Sequence, residues 1–113
     1  MKLIVGEGQN GKTTALIKKS AEEGIRIAVG SHKRAIQLMH AAENMGLTIR
    51  HPIVVSARGQ NSLLTNEPDI IKNGLLVDDL DYIISELFRG VKIKEATVSS
   101  LSLDSIEFIQ KSQ

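Results

Sequence analysis

Apolar and polar residues alternate along this chain in two rhythms. Short apolar runs read as strands, and longer stretches repeat at helical spacing. Met1-Lys2-Leu3-Ile4-Val5 is a brief apolar run and predicts a first buried strand. A glycine-rich stretch follows, and then Lys12 to Glu23 predicts a helix of good helix formers, closed by Gly24. Lys18 with Glu22 and Lys19 with Glu23 stand four apart on its wet face. Ile25-Arg26-Ile27-Ala28-Val29 predicts a second strand. Ser31 is then placed to cap a second helix from His32 to Met45, whose stripe is Ala35, Leu38, Met39 and Ala42.

Ile53-Val54-Val55 is the centre of a third strand, with Pro52 near its start, where a missing N–H is tolerated. Arg58 to Asn73 is rich in loop-favouring residues and predicts a long loop, with one short helical turn at Asp69 to Lys72. Gly74-Leu75-Leu76-Val77 predicts a buried strand ending in Asp78 and Asp79. Leu80, Ile83, Ile84, Leu87 and Phe88 give the clearest amphipathic repeat, stopped by Gly90. Lys92 to Ser100 predicts the last strand, and Ser105 to Ile109 a short C-terminal helix. Strand–helix–strand–helix order calls for parallel strands. The expected fold class is α/β: a three-layer sandwich of one mostly parallel five-stranded sheet flanked by helices, in a single domain spanning residues 1–113.

Composition narrows the function. The 113 residues carry a net charge of +1 and only 3% aromatics, so neither a global basic field nor a base-stacking platform is present. The absence of cysteine excludes disulfides, thiolate metal sites and cysteine nucleophiles. No leader precedes the first strand and no apolar run is long enough to span a bilayer, so the expectation is a soluble, cytoplasmic protein without membrane partners (host cytoplasm for a viral chain).

The glycine-rich stretch carries the chemistry. Gly6-Glu7-Gly8-Gln9-Asn10-Gly11-Lys12-Thr13 fits G-x-x-x-x-G-K-[ST], the phosphate-binding P-loop, and it stands between a strand and a helix as that motif requires. Glycines let the backbone N–H groups turn inward on a polyphosphate at the helix N-terminus. Lys12 is expected to reach the β- and γ-phosphates, Thr13 to ligate Mg²⁺, and Thr14 to bond the α-phosphate. The competing reading is an ordinary glycine turn. Asp78, ending an apolar strand, has the form of a Walker B carboxylate and is expected to hold Mg²⁺ through water. Asp79 stands where a catalytic acid polarises the attacking water, although aspartate is a methylene shorter than the usual glutamate. The competing reading is that Asp78, Asp79 and Asp81 only favour a helix N-terminus.

With these motifs the chain resembles a P-loop NTPase of the additional-strand type, the RecA-like ATPase core of helicases and related DNA-processing ATPases. It is also similar to small ATPases encoded by bacterial viruses, and Gly11 to Ile17 resembles thymidine kinase locally. The resemblance implies binding of ATP or GTP with Mg²⁺ at Gly6 to Thr14, and hydrolysis by in-line attack of water. It implies a polar sensor on the last core strand (Thr97, Ser99 or Ser100) and a role in replication, recombination or packaging of a viral or mobile genome. DNA, a DNA-processing protein or a homo-oligomer would be the partner. No arginine lies within the two motifs, so Arg58 and Arg89 are the candidates to act on a neighbouring subunit. Two other readings stay open: a non-catalytic nucleotide switch, and a small-molecule kinase with its acceptor pocket in the loop from Arg58 to Asn73.

Overall fold

The computed structural model describes residues 1–6, 11–55, 63–99 and 103–109. Its elements, in order, are β1 (Lys2–Gly6), α1 (Lys12–Glu23), β2 (Ile27–Val29), α2 (His32–Asn44), β3 (Ile53–Val54), α3 (Leu63–Asn66), α4 (Pro68–Asn73), β4 (Leu76–Val77), α5 (Leu80–Leu87) and β5 (Ser105–Ile109). The chain is therefore α/β with short parallel strands.

The helix boundaries follow local chemistry. Gly11 and Gly24, both left-handed, bracket α1, and the Gly24 N–H donates to the Ser20 carbonyl. Ser31 is extended and its side chain accepts from the Arg34 N–H at 3.1 Å, which fixes the start of α2. On the face of α1, Lys19 pairs with Glu23 at 3.8 Å. Where a long loop with one turn was expected, two short helices form, and Pro68 opens the second at a position that needs no N–H donor.

The strands do not form one five-stranded sheet. Among the described residues they form a three-stranded sheet of order β3-β2-β4 and a two-stranded sheet β1-β5, parallel throughout. Two sequence expectations at the end of the chain are reversed. The segment 92–99 is not strand, and every residue from Val91 to Ser99 is exposed. Ser105–Ile109 is strand rather than helix, with Ile4 opposite Glu107 and Val5 opposite Phe108. The physical reason lies in the side chains. Lys92, Lys94 and Glu95 load the first segment with charge. The second has three β-formers in five positions, and its Glu107 meets Lys2 at 3.1 Å across the ladder. Five residues without a cap make a poor helix.

The core lies between α1, α2 and β2. Ile17, Ile27, Val29, Ala35, Leu38, Ala42 and Ile49 form one buried cluster. The stripe foreseen on α2 is thus buried, with Met39 packed against its edge. The repeat on α5 is not: Leu80, Ile83 and Ile84 are half-buried, while Leu87 and the adjoining Phe88 are 58% and 56% exposed. Among the described residues β1 pairs with β5 and not with the sheet that contains β4.

Candidate functional site

The three-stranded sheet positions the site. β2 and β4 run parallel with Ala28 opposite Val77, and the Asp78 N–H donates to the Ala28 carbonyl at 2.9 Å. The ends of both strands therefore coincide, and Asp78 emerges beside Gly30 and the start of α2. This is the edge of an open α/β sheet where ligands bind. The α1 helix packs against the same core through Ile17 and brings its first turn to the same edge.

Two expected partners meet there. Thr13 Oγ1 lies 3.4 Å from Asp78 Oδ1, although 65 residues separate them in sequence. Asp78 is 4% exposed, a buried carboxylate that must be paired. Its partner is one the motifs did not supply. The Arg34 guanidinium donates from Nε to Asp78 Oδ2 at 2.7 Å and from Nη2 to Asp78 Oδ1 at 3.3 Å. The same Nη2 donates to Thr13 Oγ1 at 2.7 Å. Asp78 in turn raises the Arg34 pKa further, mainly through these hydrogen bonds, so the guanidinium is permanently charged. Arg34 belongs to neither of the two motifs. The signal that locates it is the Ser31 cap, which puts residue 34 one turn into α2, at the edge where β4 ends.

Gly11 has φ +90°, a conformation that side chains with a Cβ rarely adopt, so this glycine of the motif is required by the backbone. After it, the first-turn N–H groups of α1 have no intrahelical acceptor and face the loop side of the helix start. Lys12 folds back, and its Nζ donates to the Gly6 carbonyl at 2.6 Å. An ammonium has three protons, so one such bond leaves two for a phosphate. Thr14 is exposed in the same turn. Glu7, Gly8, Gln9 and Asn10 lie outside the described residues.

Asp79 is the first residue beyond Asp78 and caps α5 in the left-handed region, with φ 60° and no side-chain cap hydrogen bond. Its carboxyl is held above the ordinary carboxylate range, first by a hydrogen bond with Asp81, then by partial burial and by the negative charges of Asp81 and Asp78. Arg34 pulls the other way. Tyr82, one turn into α5, packs on Gly30 so closely that a Cβ there would stand 2.6 Å from its ring. Around this contact lies a cavity of about 280 Å³ whose lining includes Ser31, Lys33, Arg34, Gln37, Asp79 and Tyr82. A larger cavity of about 460 Å³, between α2 and the segment 47–51, shares no lining residue with it.

Of the remaining candidates, the described ones take no part in the hydrogen bonds that join Thr13, Arg34 and Asp78. Thr97 and Ser99 sit on the exposed segment that is not strand, and Ser100 lies outside the described residues. Arg89 is in the turn after α5 with φ 55°, and Arg58 lies outside the described residues. Among the described residues no group of three His, Cys, Asp or Glu could hold a metal ion, and no helix is long and apolar enough to cross a membrane. A divalent ion at Asp78 would therefore take most of its ligands from its substrate and from water, as Mg²⁺ commonly does in nucleotide sites. Comparisons with protein-family models, with curated proteins and with solved structures find no match.

Proposed function

We propose that this chain is a Mg²⁺-dependent nucleoside triphosphatase, binding ATP or GTP at Gly6 to Thr14. The observation that carries the reading is the approach of Thr13 Oγ1 to Asp78 Oδ1, 3.4 Å apart, at the start of a helix preceded by a glycine loop. A hydroxyl and a carboxylate brought that close from distant parts of the chain suit one octahedral ion bridging to phosphate. Lys12 then offsets the charge that develops on the γ-phosphate, and Asp79 is the candidate base for the attacking water. Its short side chain makes unassisted turnover slow. A role in DNA transactions, with DNA, a DNA-processing protein or further copies of the chain as partner, belongs to the same proposal and rests on the motif resemblance.

One observation favours a second reading, phosphoryl transfer to a small hydroxyl compound. The cavity beside Asp78 is lined by polar and charged residues, Asp79 and Tyr82 among them, and at about 280 Å³ is just below the usual size of ligand pockets. Its lining includes no described residue of the segment 63–73, and the rest of the loop from Arg58, where an acceptor pocket was expected, lies outside the described residues.

Nucleotide binding and phosphate release on wild type and Lys12→Ala, with and without single-stranded and duplex DNA, test both. The proposal expects wild type to bind and Lys12→Ala to lose binding, with release that rises when DNA or more protein is added. Phosphate transfer to an added polyol without release to water would move the assignment to the kinase. Absence of nucleotide binding by wild type would reduce Gly6 to Thr13 to a turn. The chain's single tyrosine, Tyr82, lines the cavity, and its fluorescence reports occupancy directly.

A further inference from the structure

The atoms that would hold a divalent ion are the atoms that Arg34 already holds. Nη2 of Arg34 is 2.7 Å from Thr13 Oγ1 and 3.3 Å from Asp78 Oδ1. These two oxygens are themselves 3.4 Å apart. An octahedral Mg²⁺ with ligands at about 2.1 Å sets neighbouring oxygens about 3.0 Å apart. The pair thus stands close to chelating distance, with a guanidinium nitrogen hydrogen-bonded to both members. Both cations are drawn to the same carboxylate, which is 4% exposed and has little room for two.

We propose that Arg34 is a built-in competitor for the divalent ion: its guanidinium and a divalent cation bind Thr13 and Asp78 in mutually exclusive fashion. The inference rests on the reading of Thr13 and Asp78 as metal residues and adds a regulatory positioning residue to that site. Three features support it beyond proximity. The guanidinium contacts both carboxylate oxygens, Oδ2 through Nε and Oδ1 through Nη2, and Nη2 also holds Thr13 Oγ1, so its positive charge stands where an ion shared by Thr13 and Asp78 would sit. Its side chain is 32% exposed, so it has a route out. Arg34 itself lines the cavity that Lys33, Gln37 and Tyr82 also line, so there is open space beside its side chain. A ligand that carries its own divalent ion displaces the arginine. A polyphosphate without one leaves it where it is. The site therefore selects the metal complex of its ligand, and it keeps its buried carboxylate neutralised in either state.

The test is Mn²⁺ binding, followed by electron paramagnetic resonance, on the full chain without nucleotide. Mn²⁺ takes the same oxygen-rich octahedral sites as Mg²⁺. Wild type is compared with Arg34→Gln and with the double variant Arg34→Gln, Asp78→Asn. Glutamine keeps an amide donor for Asp78 but removes the charge. The proposal expects Arg34→Gln to bind Mn²⁺ about tenfold more tightly than wild type, since affinity follows ligand charge. It expects the gain to vanish in the double variant. Binding by Arg34→Gln no tighter than wild type, or not measurable, overturns it. So does a gain that survives Asp78→Asn, which would put the metal elsewhere. Thermal melting guards against a folding artefact: Mn²⁺ should raise the midpoint of Arg34→Gln more than that of wild type, and an equal rise overturns the proposal. Failure of the nucleotide reading appears separately, as absence of nucleotide binding by wild type whatever Mn²⁺ does.

Discussion

At the scale of single residues, Asp79 is where strain and charge meet. It is a left-handed aspartate, φ 60°, next to Asp81 and Asp78. Its carboxyl pKa is raised in the fold, so the protonated form is the one the fold prefers. The sign follows: the stabilisation from this group is present below the ordinary aspartate pKa and is lost as pH rises through the raised value. Asp79→Asn keeps a residue tolerant of the left-handed region and removes the charge. It should raise the thermal midpoint at pH 7, and the gain should shrink towards zero below about pH 4. A gain that is constant with pH would mean that charge is not the cause. In the same protein, nucleotide binding should persist while phosphate release falls about 100-fold or more, the range for a lost general base. Asp79 and Asp78 were legible in the sequence because a carboxylate at the end of an apolar run is a local pattern. Arg34 was not legible as a site residue. Its role depends on β2 and β4 ending together, and nothing within reach of residue 34 along the chain announces Asp78.

Among the elements, helices were read closely and strands less so. The α1 and α2 helices carry their own start and stop chemistry, in Gly11, Gly24 and Ser31, and twelve or more residues of periodic pattern. Strand pairing has no such local signature. Lys92 to Ser100 and Ser105–Ile109 both contain scattered β-formers, and only a long-range partner decides between them. That partner is β1, and its ladder puts Val5 opposite Phe108. The chain has no cysteine, so a pair introduced by substitution reports this register without interference. Under mild oxidation, Val5→Cys with Phe108→Cys should form a disulfide in most molecules, because neighbouring strands lie about 5 Å apart and within disulfide reach. Val5→Cys with Val98→Cys should not. A gel-shift or mass measurement giving the opposite preference would return the last strand to Lys92 to Ser100 and with it a sheet nearer the one first expected.

On the scale of the whole molecule, burial is unevenly distributed. The buried cluster draws all its members from Ile17 to Ile49, whereas nine of the thirteen exposed large hydrophobics among the described residues lie from Val77 onward. The first half of the chain therefore provides the stability on which the edge at Asp78 is held. Leu38→Ala deletes a side chain that is 1% exposed and should cost about 2–5 kcal/mol in urea unfolding. Phe108→Ala deletes a larger one, but at 72% exposure it should cost no more than about 0.5 kcal/mol in dilute protein. Side-chain size alone would predict the reverse order, so the comparison tests where the core is. Hydrogen exchange should agree, with slow amides in β2 and α2 and faster ones in β1 and β5, since local opening is easiest where few buried apolar groups hold an element down. Repeating the Phe108→Ala measurement at high protein concentration adds the partner question. A cost that grows with concentration would show that a second copy covers the exposed surface, since association stabilises the folded form by mass action. A cost that stays near zero would leave β5 a strand held by its ladder and by Lys2 and Glu107. The proposed nucleotide site would then depend on the α1–α2–β2 core for the meeting of Thr13, Arg34 and Asp78.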